Sequence, residues 1–205
     1  LRVIAVANQK GGCGKTTTAI NLGASLSFLG KKVLLIDLDP QAHSTLGLGI
    51  NADQLERSIF DVLNPESPEP LSLHEVTIQI EKSLWLAPSQ IVLTAIEQQL
   101  SGKPKREERL LACLATVRKN YDFVLIDCPP NLGLLTFNAL RAATEAVIPI
   151  EPSTFSIHGL DKINETLQLL RDKIQHVVTV HALLTMYDHR NRFVREMVEQ
   201  VRLIY

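Results

Sequence analysis

At 205 residues, with 45% hydrophobic side chains and a formal net charge of −1, the chain can bury one core of good size and leaves little room for a second full domain. The charge balance excludes a bulk field that drives the protein onto nucleic acid or membrane, so any such contact must come from a local patch. Three cysteines, at 13, 113 and 128, are scattered and odd in number, which suits a reducing cytosol better than a disulfide framework. No run of 18 apolar residues and no charged leader stands in the sequence, and the expectation is a soluble, cytoplasmic protein. The first residue is Leu1 rather than Met and Tyr205 falls inside an apparent helix, so 1–205 reads as a single domain that lacks its C-terminal end, with an N-terminal extension left open.

In chain order, a β-branched apolar run predicts a strand at 2–7, followed at once by Lys10-Gly11-Gly12-Cys13-Gly14-Lys15-Thr16-Thr17. Glycines at these positions let successive backbone N–H groups turn inward around an anion, and the next helix offers its unpaired N-terminal donors. Lys15 is then placed on the β- and γ-phosphates, the Thr16 hydroxyl in a Mg²⁺ shell, and Thr17 on the α-phosphate side. The plain pattern G-x-x-x-x-G-K-[ST] fails, however: Gln9 stands where its first glycine belongs, and Lys10 is an extra basic residue. A helix at 16–29 stops at Gly30, and a strand at 32–37 completes a βαβ unit.

Further strands are predicted at 84–87, 123–127, 146–150 and 178–185, with helices near 91–100, 107–120, 134–143, 157–174 and 193–203. Continuous apolar strands between helices imply an α/β fold: a mostly parallel, doubly wound sheet with helices on both faces. The proline-rich stretch 64–70 reads as a surface loop. Trp85 reads as core, and Lys103, Lys105 and Arg106 as a solvated loop. The six histidines show no spacing for a metal site.

Sites in such sheets form at the carboxyl ends of strands, and three places stand out. Asp37 and Asp39 lie two apart after the second strand, so in an extended segment both address one side. Taken alone, they also fit carboxylates that merely end a strand before Pro40. Asp127 closes the strand at 123–127, the arrangement in which one carboxylate meets magnesium, although strand-ending Asp residues also serve as plain caps. Cys128 to Gly133 then reads as a switch that senses the γ-phosphate. The third place, 184–190, carries Met186, Tyr187 and Asp188. After it, Arg190, Arg192, Arg195 and Arg202 recur at near-helical spacing. That face fits phosphate contacts with DNA, but the interspersed Glu196 and Glu199 fit a merely solvated helix as well.

The form K-G-G-x-G-K-T-T resembles the deviant Walker A loop of the ParA/MinD class of ATPases, and the runs 10–17, 33–47, 121–140, 148–160 and 184–190 resemble the ParA/Soj branch in the same order. The resemblance implies a P-loop fold, ATP or ADP with Mg²⁺ as cofactors, and slow ATP hydrolysis. By the same resemblance Lys10 reaches across a dimer interface to the partner subunit's nucleotide, Asp39 orients the attacking water, and Asp37 joins Asp127 and Thr16 around magnesium. Met186, Tyr187 and Asp188 border the adenine, with Arg190, Arg192 and Arg195 toward DNA. It further implies DNA segregation by an ATP-bound homodimer on nonspecific double-stranded DNA of the bacterial nucleoid, released by a ParB/Spo0J-type centromere-binding partner. A MinD-like ATPase that positions material at a membrane surface, or a relative that positions flagella, organelles or chemotaxis arrays, shares the same motifs.

Overall fold

A computed structural model describes residues 1–67, 71–152, 156–188 and 190–204. Pro68 to Pro70 of the expected loop, 153–155 of the run at 148–160, His189 and the side chain of Arg192 lie outside the described residues.

The elements in order are β1 (Arg2–Val6), α1 (Lys15–Phe28), β2 (Val33–Asp37), α2 (His43–Gly47), α3 (Ile59–Leu63), α4 (Leu73–Val76), β3 (Ile78–Glu81), β4 (Leu84–Ala87), α5 (Ile96–Gln99), α6 (Arg109–Ala115), β5 (Phe123–Asp127), α7 (Leu134–Ala142), β6 (Glu145–Ile150), α8 (Ser156–Ile174), β7 (Thr179–Leu184) and α9 (Arg192–Ile204). The seven strands form one sheet in the order β3-β4-β2-β5-β1-β6-β7, parallel throughout except for the antiparallel pair β3–β4. The α/β expectation therefore holds, with one hairpin at the edge. β3 escaped the sequence reading because it has only four residues and alternates apolar and polar, as a half-buried edge strand does.

Strand side chains alternate between two cores. Val3, Ala5, Leu34, Ile36, Val124 and Ile126 join the larger one, under α3 and α5 to α8, while Ile4, Val6, Val33, Leu35 and Leu125 join Ala19 of α1 in the smaller. Trp85 is half-buried against the larger core and stacks edge-on with Tyr121 at 5.5 Å.

Two predicted helices are shorter than expected. The one at 91–100 begins as a 3₁₀ turn, where β-branched Ile91 and Val92 precede Thr94, whose hydroxyl donates to the Ile91 carbonyl at 2.8 Å. The one at 107–120 ends at Ala115, just before Thr116, whose hydroxyl donates to the Cys113 carbonyl at 2.8 Å. Conversely, α3 and α4 were missed despite a legible start signal. The Ser58 N–H donates to Asp61 at 2.8 Å and the Ser72 N–H to Glu75 at 2.8 Å, the capping-box spacing. No helix of the described residues is long and apolar enough to cross a membrane.

Candidate active site

The carboxyl ends of β1, β2 and β5 meet at one edge of the sheet, with Asp37 and Asp127 in register on neighbouring strands. β1 leads into the glycine loop through Asn8, whose Nδ2 donates to the Pro149 carbonyl at 2.7 Å and whose Oδ1 accepts from the Lys10 N–H at 3.2 Å. Gly12 (φ 73°) and Gly14 (φ 92°) take left-handed conformations that other residues adopt only under strain. A Cβ built on Gly11 or Gly12 meets nothing within 4 Å, so the loop wall faces open space of the kind a phosphate fills. Lys15 is buried and its Nζ donates to the Lys10 carbonyl at 3.0 Å, which shapes the loop in advance. From the far side, the Thr185 hydroxyl, just beyond β7, donates to the Cys13 carbonyl at 2.8 Å.

A cleft of about 380 Å³ opens here, lined by Gly11, Gly12 and Gly14 of the loop together with Asp39, Pro130 and Met186. Lys15, Thr16 and Thr17, in the first turn of α1, line it as well. Gln41 and His43 also line it, and the sequence reading passed over both.

The three carboxylates differ in their surroundings. Asp127 is fully buried, and its Oδ2 accepts from the Ser44 hydroxyl at 2.7 Å. Its Oδ1 has no hydrogen-bond partner among the described residues, although the Thr16 hydroxyl stands near enough to favour the charge. Burial is the main cause that raises its pKa, against the pull of Ser44, Thr16 and Lys15. An orphaned buried carboxylate oxygen beside a threonine hydroxyl and an open phosphate loop is a donor set that suits Mg²⁺, a cation that keeps one or two protein oxygens and completes its shell with phosphate and water. Among the described residues, no group of three His, Cys, Asp or Glu side chains could hold a metal unaided.

Asp37 is also fully buried, but its oxygens are taken. Oδ2 accepts from both the Thr45 N–H and hydroxyl at 2.8 Å, and Oδ1 from the Asp39 N–H at 3.1 Å. Burial first, and then the Asp127 charge, push its pKa up to about 7. Asp37 thus ties β2 to α2 and fixes the start of the Asp39 turn. Asp39 faces the cleft, with its own Oδ1 on the Gln41 N–H at 2.9 Å. Ser44 and Thr45, on a five-residue helix entered through Ala42 in a left-handed turn (φ 55°), were missed, although both lie inside the family-like run at 33–47.

Lys10 bonds within its own subunit, its Nζ 2.5 Å from Glu151 at the end of β6. Cys13 is buried, and burial raises its thiol pKa in spite of Lys15, the backbone N–H groups beside it and Lys10. Of the three residues expected at the adenine, only Met186 borders the cleft. Tyr187 lines a separate surface cavity of about 710 Å³ with Arg195, Glu199 and Arg202 of α9. The Asp188 carboxylate is occupied by Arg190, at 2.8–3.3 Å, which holds it below the usual carboxylate range. Val194, Met197, Val198 and Val201 form the buried stripe of α9 and leave Arg195 and Arg202 exposed, the latter paired with Glu199 at 2.8 Å.

A family model for the AAA domain matches residues 1–180. Sporulation initiation inhibitor protein Soj of Bacillus subtilis (strain 168) is 39% identical over 98% of this chain and 79% of its own length. Chromosome partitioning protein ParA of Caulobacter vibrioides (strain NA1000 / CB15N) is 40% identical over 98% of this chain and 76% of its own. Among solved structures, cobyrinic acid a,c-diamide synthase from Mycobacterium smegmatis, with bound ATP analog and magnesium, superposes with a TM-score of 0.92 at 36% identity, covering 100% of this chain and 82% of that one. A putative plasmid partition protein from Borrelia burgdorferi B31, bound to AMPPNP, superposes with a TM-score of 0.83 at 28% identity over 98% and 80% of the two chains.

Proposed function

From the premise that this chain belongs to the ParA/Soj family of partitioning ATPases, we propose that it is a nucleotide-timed switch that moves DNA in the bacterial cytoplasm. In this reading an ATP-bound homodimer holds nonspecific double-stranded DNA, and a ParB-type partner stimulates hydrolysis and so releases it. The observation that carries the reading is the meeting of Lys15, Thr16, Asp39 and Asp127 around one glycine-walled cleft at the end of a parallel sheet.

Bound Mg-ATP supplies a phosphoanhydride whose cleavage by water resets the switch. The chain's own contribution is positioning and charge. The loop N–H groups and Lys15 would neutralise the phosphates, and Thr16 and Asp127 Oδ1 would hold the cation. Asp39, fixed through its backbone by Asp37, orients the attacking water. With both oxygens engaged, Asp37 serves magnesium by holding Asp39 and α2 rather than by direct ligation. Lys10 leaves Glu151 to add charge at the partner subunit's nucleotide, and Met186 lies against the base side of the cleft. Arg190, Arg192 and Arg195 supply the phosphate contacts to DNA.

The test is binding of the protein to nonspecific duplex DNA at one fixed salt concentration, with ATP, with ADP and without nucleotide. Binding that requires ATP is the expected result. ATP binding without DNA binding in any state removes segregation, and liposome binding in the same buffers then decides for membrane-surface positioning.

A further inference from the structure

The loop between β5 and α7 that borders the cleft is held at its far end by a residue that no motif marks. Gly133 occupies the N-cap of α7 (φ −82°, ψ −167°) and has no side chain to accept from the orphan N–H groups of the first turn. Glu97 on α5 supplies that acceptor: the Leu134 N–H donates to its Oε1 at 2.9 Å. A Cβ on Gly133 would stand 2.5 Å from the same oxygen, so the carboxylate gains access because residue 133 is glycine.

Both sides of this contact are fixed. α5 is seated by Ile96, with Leu93 and Leu100 beside it, all fully buried. The body of α7 is pinned through Asn138, whose Oδ1 accepts from the Leu110 N–H at 3.2 Å and whose Nδ2 donates to the Arg106 carbonyl at 3.0 Å. Within the loop, Asn131 accepts from the Gly133 N–H at 3.4 Å and from the Thr136 hydroxyl at 2.5 Å. Residues 128–133 therefore run from a central strand to a pinned helix, carrying Pro130 into the cleft wall on the way. The Glu97 side chain is exposed and fills no space in the core, so its grip acts on where the loop ends.

We propose that Glu97 is a positioning residue for hydrolysis: by capping α7 it sets the reach of the 128–133 loop toward the γ-phosphate. This rests on the ATPase reading above. A change of position on the order of 1 Å at a reacting group lowers rate by up to about a hundredfold, and the loop end is one step removed from that group.

The experiment compares the parent with Glu97→Ala, Glu97→Gln, Gly133→Ala and the Glu97→Ala/Gly133→Ala double variant. Steady-state hydrolysis and amide hydrogen exchange of 128–136 are both measured. Glu97→Ala lowers kcat about tenfold with KM for ATP nearly unchanged, since the phosphate loop is untouched. Glu97→Gln keeps an oxygen acceptor and restores most of the rate. Gly133→Ala displaces the carboxylate and matches Glu97→Ala, and the double variant is no slower than either single one. An unchanged kcat, a loss that Gln does not rescue, or additive losses overturn the proposal. If the parent hydrolyses no ATP, the ATPase reading fails separately, and exchange at the Leu134 amide decides for Glu97: faster in Glu97→Ala and Gly133→Ala supports the cap, and equal rates overturn it.

Discussion

At the phosphate end of the cleft, buried polar groups are held by hydrogen bonds that tie separate elements together. Ser44 reaches the Asp127 carboxylate across 83 residues, Thr45 ties α2 to Asp37 of β2, and Thr185 closes on the Cys13 carbonyl across 172. On the surface around α9, away from the cleft, the bonds are local and exposed: Asp188 holds Arg190 two residues on, and Glu199 holds Arg202 three residues on. The first region is over-determined, so each side chain has one place to be. The second is a set of exposed ion pairs that solvent and salt screen, and they can exchange partners when a polyanion arrives.

The largest effect should come from the over-determined end. Asp39→Ala is expected to lower turnover by about 10²–10³-fold while ATP still binds, leaving the ATP-loaded protein on DNA, and rapid release of that variant would remove Asp39 as the water-orienting group. Ser44→Ala strips Asp127 of the donor on Oδ2 and should destabilise the nucleotide-free protein by about 1–2 kcal/mol in urea titrations. An unchanged midpoint would mean that the buried carboxylate finds another partner. On the exposed surface, replacing Arg190, Arg192 and Arg195 together should leave ATP affinity and stability alone but flatten the salt dependence of DNA binding, with a log–log slope smaller in magnitude by about 1 for each phosphate that an arginine no longer neutralises. A parental slope would assign this face to solvent.

The smallest effect falls on a surface pair outside both regions. Glu145, bonded to Arg2 at 2.6 Å, is held below its ordinary value of 4.5 chiefly by that hydrogen bond. A lowered carboxylate contributes stability above its unfolded pKa and loses it as pH falls through the folded one. Acid titration of Glu145→Gln should therefore lack a shallow loss below about pH 4.5 that the parent shows. With Arg2 exposed, the difference should stay under about 1 kcal/mol.

The same contrast explains what was legible in the sequence. Gly12, Gly14, Lys15 and Thr16 were readable because a strand, a tight glycine loop and a helix start allow few other arrangements of those residue types. Asp127 was readable as the polar end of a buried strand. Ser44 and Thr45 were not, because α2 begins at Ala42 in a left-handed turn that no helix propensity predicts. Glu97 was invisible for a related reason: its partner is a backbone N–H 37 residues away, and a glycine at the N-cap hides the need for it. Tyr187 stands one residue beyond Met186 yet lines the cavity beside α9 and not the phosphate cleft, a division that sequence position alone does not reveal.

β1 sits near the middle of the sheet, between β5 and β6, so the strand that carries the phosphate loop has neighbours that begin only at Phe123 and Glu145. On a ribosome adding about 5–20 residues per second, that leaves β1 without its lateral partners for roughly 6–30 s after it is made. Its loop is then latched by Thr185, which arrives later still. The apolar segment Val3 to Ala7 thus waits for its neighbours during synthesis, and the nucleotide cradle, translated before the strands and the latch that frame it, is one of the last parts to be finished.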